Sequence, residues 1–257
     1  MEHKIGFMQG RLSPVQGKKI QFFPWKNWRK EFHIGKKLNF KILEWTIDSK
    51  KLYSNPLMSK DGQKEIKKLC SKYNFKIKSL TGDCFMQKPF WKNNIEKRIK
   101  LQKDFLNVII QSSKVGIKFI VLPLVDKGKI ENRKQEKIVI KFLKEITPIL
   151  RSNKMKILFE TDFKPKKYLK FIKNFNKNFF GINYDTGNSA AYGFNPNQEI
   201  SLYGKYIDNV HIKDRIYNGA TVPLGEGNVD FLSVVKKLKR IKYKGNFILQ
   251  TARSKKN

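Results

Sequence analysis

Short apolar runs alternate along the whole chain with longer amphipathic stretches. The runs are rich in Ile, Leu, Val and Phe, as expected of strands buried on both faces of a parallel sheet. The stretches between them repeat apolar residues at helical spacing and place Lys on the opposite face. The pattern predicts eight strands, at Lys4–Met8, Phe40–Trp45, Phe75–Leu80, Lys118–Pro123, Lys156–Glu160, Gly181–Asp185, Ile207–Lys213 and Asn246–Thr251. Regular alternation of strand and helix predicts a parallel sheet, and eight repeats predict that it closes into a barrel.

The connecting stretches predict seven internal helices, at Trp28–Lys37, Asp61–Tyr73, Asn93–Val115, Asn132–Leu150, Pro165–Asn174, Asn197–Tyr206 and Asp230–Ile241. No Pro/Gly/Ser-rich linker divides the 257 residues, so we expect a single (β/α)8 TIM barrel domain over residues 1–257. The sequence stops shortly after the eighth strand, and the final helix is expected to be missing. This leaves open an incomplete chain, a homodimer contact over that flank, or a bare flank.

Four polar residues end four successive apolar runs in the second half of the chain. They are Glu160, Asp185, His211 and Gln250. The carboxyl ends of barrel strands meet at one mouth, so these side chains are expected to converge. Two carboxylates, an imidazole and an amide form a ligand set for Mg²⁺, Mn²⁺, Co²⁺ or Zn²⁺. The structural alternatives are a rim Glu–Lys pair, a turn-capping Asp and a satisfied core histidine.

Basic residues follow the histidine on the same face of its strand. Lys213 and Arg215 alternate with His211, so they are expected to face the mouth and to bind a phosphate, carboxylate or enediolate oxygen. The alternative is a rim ion pair with Asp214 or Glu226.

Four further residues are weaker candidates for substrate binding, because each stands in a loop or at the end of a predicted strand. Arg11 and Arg253 could bind an anionic group, Glu44 could contact substrate hydroxyls or simply pair with a lysine, and Asn188 is a further substrate-binding candidate.

The formal net charge of +34 raises the question of a nucleic-acid partner. Lys is spread along every predicted helix and is not gathered in one block, which favours solvated helix faces over a nucleic-acid-binding surface. The positive electrostatic field of the protein would still steer anionic substrates. The two cysteines have no metal-type spacing and agree with a reducing, cytoplasmic location. No signal pattern and no apolar run of about 18 residues is present, so a membrane location is not expected.

Several short motifs, in this order and spacing, together resemble a known family. They are Gly6-Phe7-Met8-Gln9-Gly10-Arg11-Leu12-Ser13, Phe159-Glu160-Thr161-Asp162, Tyr184-Asp185-Thr186-Gly187-Asn188, Val210-His211-Ile212-Lys213-Asp214-Arg215 and Pro223-Leu224-Gly225-Glu226-Gly227-Asn228-Val229-Asp230-Phe231. The chain resembles the xylose isomerase-like TIM barrel superfamily, and within it the sugar-phosphate isomerases and epimerases.

The resemblance implies one divalent metal ion held by Glu160, Asp185 and His211, with Gln250 where the family has a glutamate. It implies that Glu160 is the base that removes a proton from a substrate carbon, and that the metal with Lys213 or Arg215 stabilises the enediolate. A glutamine cannot exchange a proton at neutral pH, so the sequence favours a one-base isomerase over a two-base epimerase.

Two other functions are weighed against this one. A related branch repairs abasic DNA with a three-metal, histidine-rich cluster, and three histidines in the whole chain argue against it. A metal-binding barrel without isomerase activity, such as a sugar-binding protein or a sugar-acid lyase or dehydratase, would also explain Gln250.

Overall fold

A computed structural model describes residues 4–17 and 20–253. Eight parallel strands form a closed barrel in the order β1-β10-β7-β6-β5-β4-β3-β2. Their bounds are β1 Lys4–Met8, β2 Leu43–Thr46, β3 Ser79–Thr81, β4 Phe119–Leu124, β5 Lys156–Thr161, β6 Phe180–Asp185, β7 Ile207–Ile212 and β10 Asn246–Leu249. Two short strands outside the barrel, β8 (Asp214–Arg215) and β9 (Thr221–Val222), pair antiparallel. The predicted (β/α)8 barrel is confirmed.

The α-helices pack around the barrel or lie in the loops above it. Their bounds are α1 Trp28–Lys37, α2 Lys60–Tyr73, α3 Asp83–Gln87, α4 Ile95–Ser113, α5 Arg133–Glu145, α6 Thr147–Ser152, α7 Pro165–Ile172, α8 Thr186–Ala191, α9 Pro196–Tyr203 and α10 Phe231–Arg240.

The predicted elements differ from the structure in a few places. The single helix predicted over Asn132–Leu150 is two helices, because Pro148 lies in the first turn of α6 and cannot continue α5. The second and third strands begin later than predicted. The pattern missed α3 and α8, since both are too short to show helical periodicity. Both missed helices follow directly on strands whose ends form the mouth.

Within the described residues, which extend to Arg253, no helix follows the eighth strand. The prediction that the final helix is missing also concerns residues 254–257, which lie outside the described part of the chain. Ile5 on β1 is 51% exposed, so the outer face of the barrel is partly open at this strand. None of the described helices is long and apolar enough to span a membrane.

An irregularity between β6 and β7 sets the register of the site. The pairing shifts between Ile182 and Asn183, and beyond it Asn183 lies opposite Asn209 and Asp185 opposite His211. The shift therefore places the polar residues of the two strands side by side at the mouth.

Candidate active site

Three of the predicted metal ligands meet at the carboxyl end of the barrel. Glu160 Oε2 lies 3.4 Å from His211 Nδ1, and that nitrogen lies 3.9 Å from Asp185 Oδ2. One donor atom from each residue falls within 4.8 Å of the others, and all three residues are buried. A single cation could contact all three side chains.

The His211 ring is oriented from below by Glu44. His211 Nε2 lies 2.7 Å from Glu44 Oε1, so this nitrogen donates to the carboxylate and Nδ1 faces the other predicted ligands. Glu44 is held in turn by the Thr81 hydroxyl at 2.6 Å and the Asn209 amide at 3.0 Å. In metal sites, a carboxylate in this position fixes the histidine tautomer and increases its basicity as a ligand.

Two facing carboxamides connect this support to the base. Asn209 Nδ2 donates to Asn183 Oδ1 at 2.8 Å and to Glu44 Oε2 at 3.0 Å. Because its oxygen is engaged, Asn183 presents its NH₂ group to Glu160 Oε2 at 2.8 Å and lies 3.0 Å from His211 Nδ1. The amides thus fix the positions of the carboxylate and the imidazole.

The segment from Asp185 to Asn188 begins α8 and supports Glu160 from the other side. Asp185 Oδ1 accepts a hydrogen bond from the Asn188 backbone N–H at 2.8 Å, and Asn188 Nδ2 donates to Glu160 Oε1 at 2.8 Å. A Cβ at Gly187 would lie 2.8 Å from Lys213 Cγ, so glycine is required for this close approach. Both oxygens of the Glu160 carboxylate are therefore held.

The two predicted anion-binding residues lie at the same mouth. Lys213 Nζ lies 2.8 Å from Asp185 Oδ2. Arg215 donates to Asn188 Oδ1 at 3.0 Å and to the Gly219 carbonyl at 2.8 Å. The two cations thus lie beside the ligand cluster.

Asp214 does not form the rim ion pair considered as the alternative for Arg215. It is fully buried, and its carboxylate accepts backbone N–H groups from Gly225, Gly227 and Val229 at 2.9, 3.0 and 3.1 Å. Asp214 therefore folds the loop after β9 and leaves Arg215 free of an acidic partner within the described chain.

A cavity of about 260 Å³ opens above the ligand cluster. The predicted residues that border it are Glu160, Asn188, Lys213, Arg215, Gln250 and Arg11. Gln250 Oε1 is buried there and has no hydrogen-bond partner among the residues described. An unpaired buried oxygen at this position suits a ligand or cation in the cavity.

A larger groove of about 480 Å³ lies between the loop before α2 and helix α4. Leu52, Phe85 and Phe90 form part of its wall, and Lys51 and Lys97 stand beside them. None of the predicted site residues opens into it, so chemistry is assigned to the smaller cavity.

The loop after β1 is held by a residue that sequence reasoning missed. Glu31 on α1 is fully buried and accepts the Gly10 N–H at 2.9 Å, the Leu12 N–H at 3.1 Å and the Ser13 hydroxyl at 2.8 Å. Burial raises the pKa of Glu31 to about 7 against the effect of these donors. Glu31 thereby fixes the loop that carries Arg11 to the cavity.

Two residues predicted to bind substrate have structural roles instead. Glu44 is fully inaccessible, and its oxygens are engaged by its neighbours. Arg253 donates to the carbonyls of Gly10 at 2.6 Å, Ser13 at 3.0 Å and Ile20 at 3.0 Å. Neither residue borders the cavity. A strand-end position alone does not distinguish a residue beneath the cavity from one that borders it.

The charges in the cluster act on one another. Burial alone would raise the pKa of Glu160, but His211 and Lys213 hold it below its usual value, so the carboxylate is ionised at neutral pH. Burial alone would lower the pKa of His211, but Glu44 and Glu160 outweigh burial and raise it to about 10. The cluster thus attracts positive charge strongly, whether a proton or a metal ion.

The donor set fits a divalent cation. Glu160, Asp185 and His211 Nδ1 offer two carboxylates and an imidazole, and the unpaired Gln250 Oε1 offers a neutral oxygen in the same mouth. The competing feature is Lys213, whose ammonium group lies against the Asp185 oxygen that a cation would use.

Asp83 is a further acidic residue at the mouth that was not among the predicted site residues. It directly follows β3 and borders the same cavity as Glu160. The signal that identified Glu160, a carboxylate at the end of an apolar strand, was also present at Asp83.

Comparison with known proteins finds relatives that cover nearly the whole chain. The sequence model of the family described as "Xylose isomerase-like TIM barrel" matches residues 32–257. A curated relative from Haemophilus influenzae, "Putative L-ribulose-5-phosphate 3-epimerase SgbU", is 24% identical over 97% of this chain and 88% of its own length.

Solved structures share the fold at low identity. A D-psicose 3-epimerase from Clostridium cellulolyticum H10, solved with D-tagatose, has a TM-score of 0.75 at 15% identity and covers 97% of this chain and 85% of its own. The IolI protein, solved with a bound zinc atom, has a TM-score of 0.74 at 18% identity, and the match covers 97% of this chain and 89% of the IolI chain.

Proposed function

This chain belongs to the xylose isomerase-like TIM barrel family, and from that premise we propose that it is a divalent-metal-dependent isomerase or epimerase of a sugar or sugar phosphate. The observation that carries the proposal is the buried cluster of Glu160, Asp185 and His211 beneath a cavity bordered by Lys213 and Arg215. The curated relative named as a putative L-ribulose-5-phosphate 3-epimerase supports a small-molecule carbohydrate substrate.

Glu160 is the base in this proposal. It borders the cavity, and its pKa is held below the usual value by His211 and Lys213 in spite of burial, so it can accept a proton at neutral pH. Asn183 and Asn188 fix both of its oxygens. A positioned carboxylate of this kind removes the proton from the carbon next to the substrate carbonyl.

Removal of that proton leaves negative charge on the substrate oxygens. Lys213 and Arg215 border the cavity and can stabilise this charge, since fixed cations in a site that excludes water act strongly on developing charge. A divalent ion held by Glu160, Asp185, His211 and Gln250 would supply Lewis-acid polarisation of the same oxygens.

The cavity also favours an anionic substrate. Arg11 borders it, and although burial and the neighbouring Arg253 lower its pKa to about 10, the guanidinium stays charged at neutral pH. Its Nη atoms are engaged by the Ile20 carbonyl and Gln21, but its Nε has no partner within the described chain. Arg11 is therefore placed to bind a phosphate or a hydroxyl of the substrate.

The first test is metal stoichiometry after Mn²⁺ loading and desalting. We expect about one equivalent in the wild type and none in Asp185→Asn, which keeps an acceptor for the α8 N-cap but loses the charge. Asp230→Asn is the matched control, because Asp230 also caps a helix, α10, away from the mouth. No metal in the wild type would contradict the proposed site.

The second test is exchange of carbon-bound hydrogen in D₂O. L-ribulose 5-phosphate, D-tagatose and D-psicose serve as probes, because they pair a phosphorylated sugar with two unphosphorylated ones. Deuterium uptake into any of them by the metal-loaded wild type supports an isomerase or epimerase. Metal binding without uptake on any probe would favour the alternative of a sugar-binding protein or a sugar-acid lyase or dehydratase.

A further inference from the structure

Asp83 is a buried carboxyl group for which the proposed chemistry so far has no role. It stands after β3 as the first residue of α3, and its side chain borders the same cavity as Glu160 and Gln250. The residue is only 6% exposed, and its Oδ2 has no hydrogen-bond partner among the described residues. A carboxyl oxygen is thus buried unpaired beside the reacting groups.

A purely structural role does not account for this carboxyl. The N-cap of α3 is Gly82, with no side-chain cap hydrogen bond, so Asp83 does not cap the helix. Arg11 borders the same cavity, but its Nη atoms donate to the Ile20 carbonyl and to Gln21, and it forms no ion pair with Asp83. Burial of an unpaired carboxyl is costly, and such groups persist mainly where function requires them.

The surroundings of Asp83 favour its protonated form. Burial, together with the negative charges of Asp48 and Glu160, raises the pKa of Asp83 to about 8, although contact with Gln21 and the charge of Arg11 act in the opposite direction. The same cavity therefore holds a buried carboxyl that can donate a proton and, bordering it as well, the proposed base Glu160.

We propose that Asp83 is a second proton-transferring residue, which provides the acid that Gln250 cannot provide. The inference rests on the proposed function and deepens it, because a second proton donor permits epimerisation at a carbon where Glu160 alone would return the proton to the face it came from.

The proton balance is complete without a further reactant. Glu160 takes the proton from the substrate carbon and becomes neutral, and the electron pair of the broken C–H bond enters the enediolate. Asp83 then gives its proton to the same carbon and becomes a carboxylate, and both residues recover their starting state by exchange with solvent. The two side chains follow β5 and β3, with β4 between them, and both border the cavity in which the substrate carbon would lie.

The test compares epimer formation with solvent exchange, using whichever of the three sugar probes exchanges most rapidly with the metal-loaded wild type. We expect the wild type to form an epimer carrying one solvent deuterium. Asp83→Asn should keep deuterium uptake into recovered substrate, catalysed by Glu160, while epimer formation falls by about 100-fold or more. The expected signature is thus a change in the ratio of the two processes.

Two controls separate catalysis from folding. Asp61→Asn removes an exposed carboxylate on α2, which does not border the cavity, and should leave the ratio of epimer to exchange unchanged. Asp83→Asn should melt at a temperature no lower than the wild type at pH 7, because burial raises the folded-state pKa of Asp83 above its unfolded value and this costs the wild type stability at that pH. A markedly lower melting temperature would mark Asp83 as structural and overturn the inference.

Two kinetic outcomes would also overturn it. Epimer formation by Asp83→Asn at the wild-type rate would show that the second proton comes from elsewhere. Equal loss of exchange and epimer would show that Asp83 acts only through Glu160. Absence of exchange in the wild type on every probe is a different failure, because it contradicts the proposed function itself.

Discussion

The two sides of the barrel mouth differ in how their polar groups are paired. On the β5–β7 side, the carboxylates and the imidazole are engaged by neighbours, as in the contacts of His211 with Glu44 at 2.7 Å and of Lys213 with Asp185 at 2.8 Å, although Asn209 Oδ1 beneath them has no partner among the described residues. On the β1, β3 and β10 side, buried polar atoms lack partners within the described chain. These atoms are Gln9 Nε2, Arg11 Nε, Asp83 Oδ2 and Gln250 Oε1.

The difference indicates that the two sides of the mouth have different roles in binding and catalysis. The paired side holds its charges in fixed positions before any ligand binds, which is what electrostatic catalysis needs. Each unpaired buried group costs about 1–3 kcal/mol, so several of them on one side represent stability that the fold gives up. Such a cost is expected where a substrate completes the hydrogen bonds.

The largest effect should come from removing the charge of the best-held residue on the paired side. We expect Glu160→Gln to slow deuterium exchange by about 10²–10⁴-fold, because the amide cannot accept the carbon-bound proton. Exchange of a sugar probe in D₂O measures the rate, and the melting temperature reports on folding. Exchange at the wild-type rate would remove Glu160 from the role of base.

The second effect tests whether pairing beneath the site matters for the metal. Glu44→Gln should weaken Mn²⁺ binding by about 10–100-fold, because the carboxylate that orients His211 is lost. Calorimetric titration with Mn²⁺ gives the dissociation constants. Glu65→Gln is the matched control, since Glu65 is an exposed glutamate paired with Arg29. Equal affinities in the two variants would mean that His211 needs no carboxylate support.

The fold and the paired side were largely predictable from the sequence. Strand ends are marked by a polar residue after an apolar run, and this rule found Glu160, Asp185 and His211 because the closed barrel brings all strand ends together. The same rule could not distinguish strand-end residues that lie beneath the cavity from those that border it. Glu44 was therefore predicted to contact substrate, although it is enclosed by His211 and its other neighbours.

The unpaired side was harder to predict, because its residues depend on how loops fold over the barrel. Glu31 accepts a hydrogen bond from the Gly10 N–H, 21 residues earlier in the chain, and no local sequence pattern predicts such a contact. The burial of Asp83 becomes apparent only when α3 packs against β4. Contacts between distant segments decide burial, and burial decides the chemistry of a carboxyl group.

A smaller effect is expected from adding charge to the unpaired side. Gln250→Glu restores a carboxylate at the position where the sequence departs from its family, and it should strengthen Mn²⁺ binding by about tenfold, since affinity rises with ligand charge. The metal-free variant should be less stable than the wild type, because the new charge adds to that of Glu160. Unchanged Mn²⁺ affinity would place residue 250 outside the ligand sphere.

The smallest effect is a pH dependence of stability in the metal-free protein. The folded-state pKa of His211, about 10, lies above the ordinary value of about 6.5. The charged imidazole therefore stabilises the fold fully below pH 6.5 and progressively less as the pH rises toward 10. Between pH 7 and 10, the wild type should lose up to about 1.4 kcal/mol per pH unit more than His211→Asn.

Urea unfolding with a chelator present measures this difference in slope. Asp83 and Glu31 contribute equally to both proteins because His211 does not shift their pKa, whereas Glu44 and Glu160 lose the charge of His211 in the variant. A saturating metal ion should abolish the slope, since the cation replaces the proton on Nδ1. Equal slopes without metal would mean that the ring is already neutral. The Asn183 amide, 3.0 Å from Nδ1, would then outweigh the carboxylates and hold the lone pair ready for a metal ion.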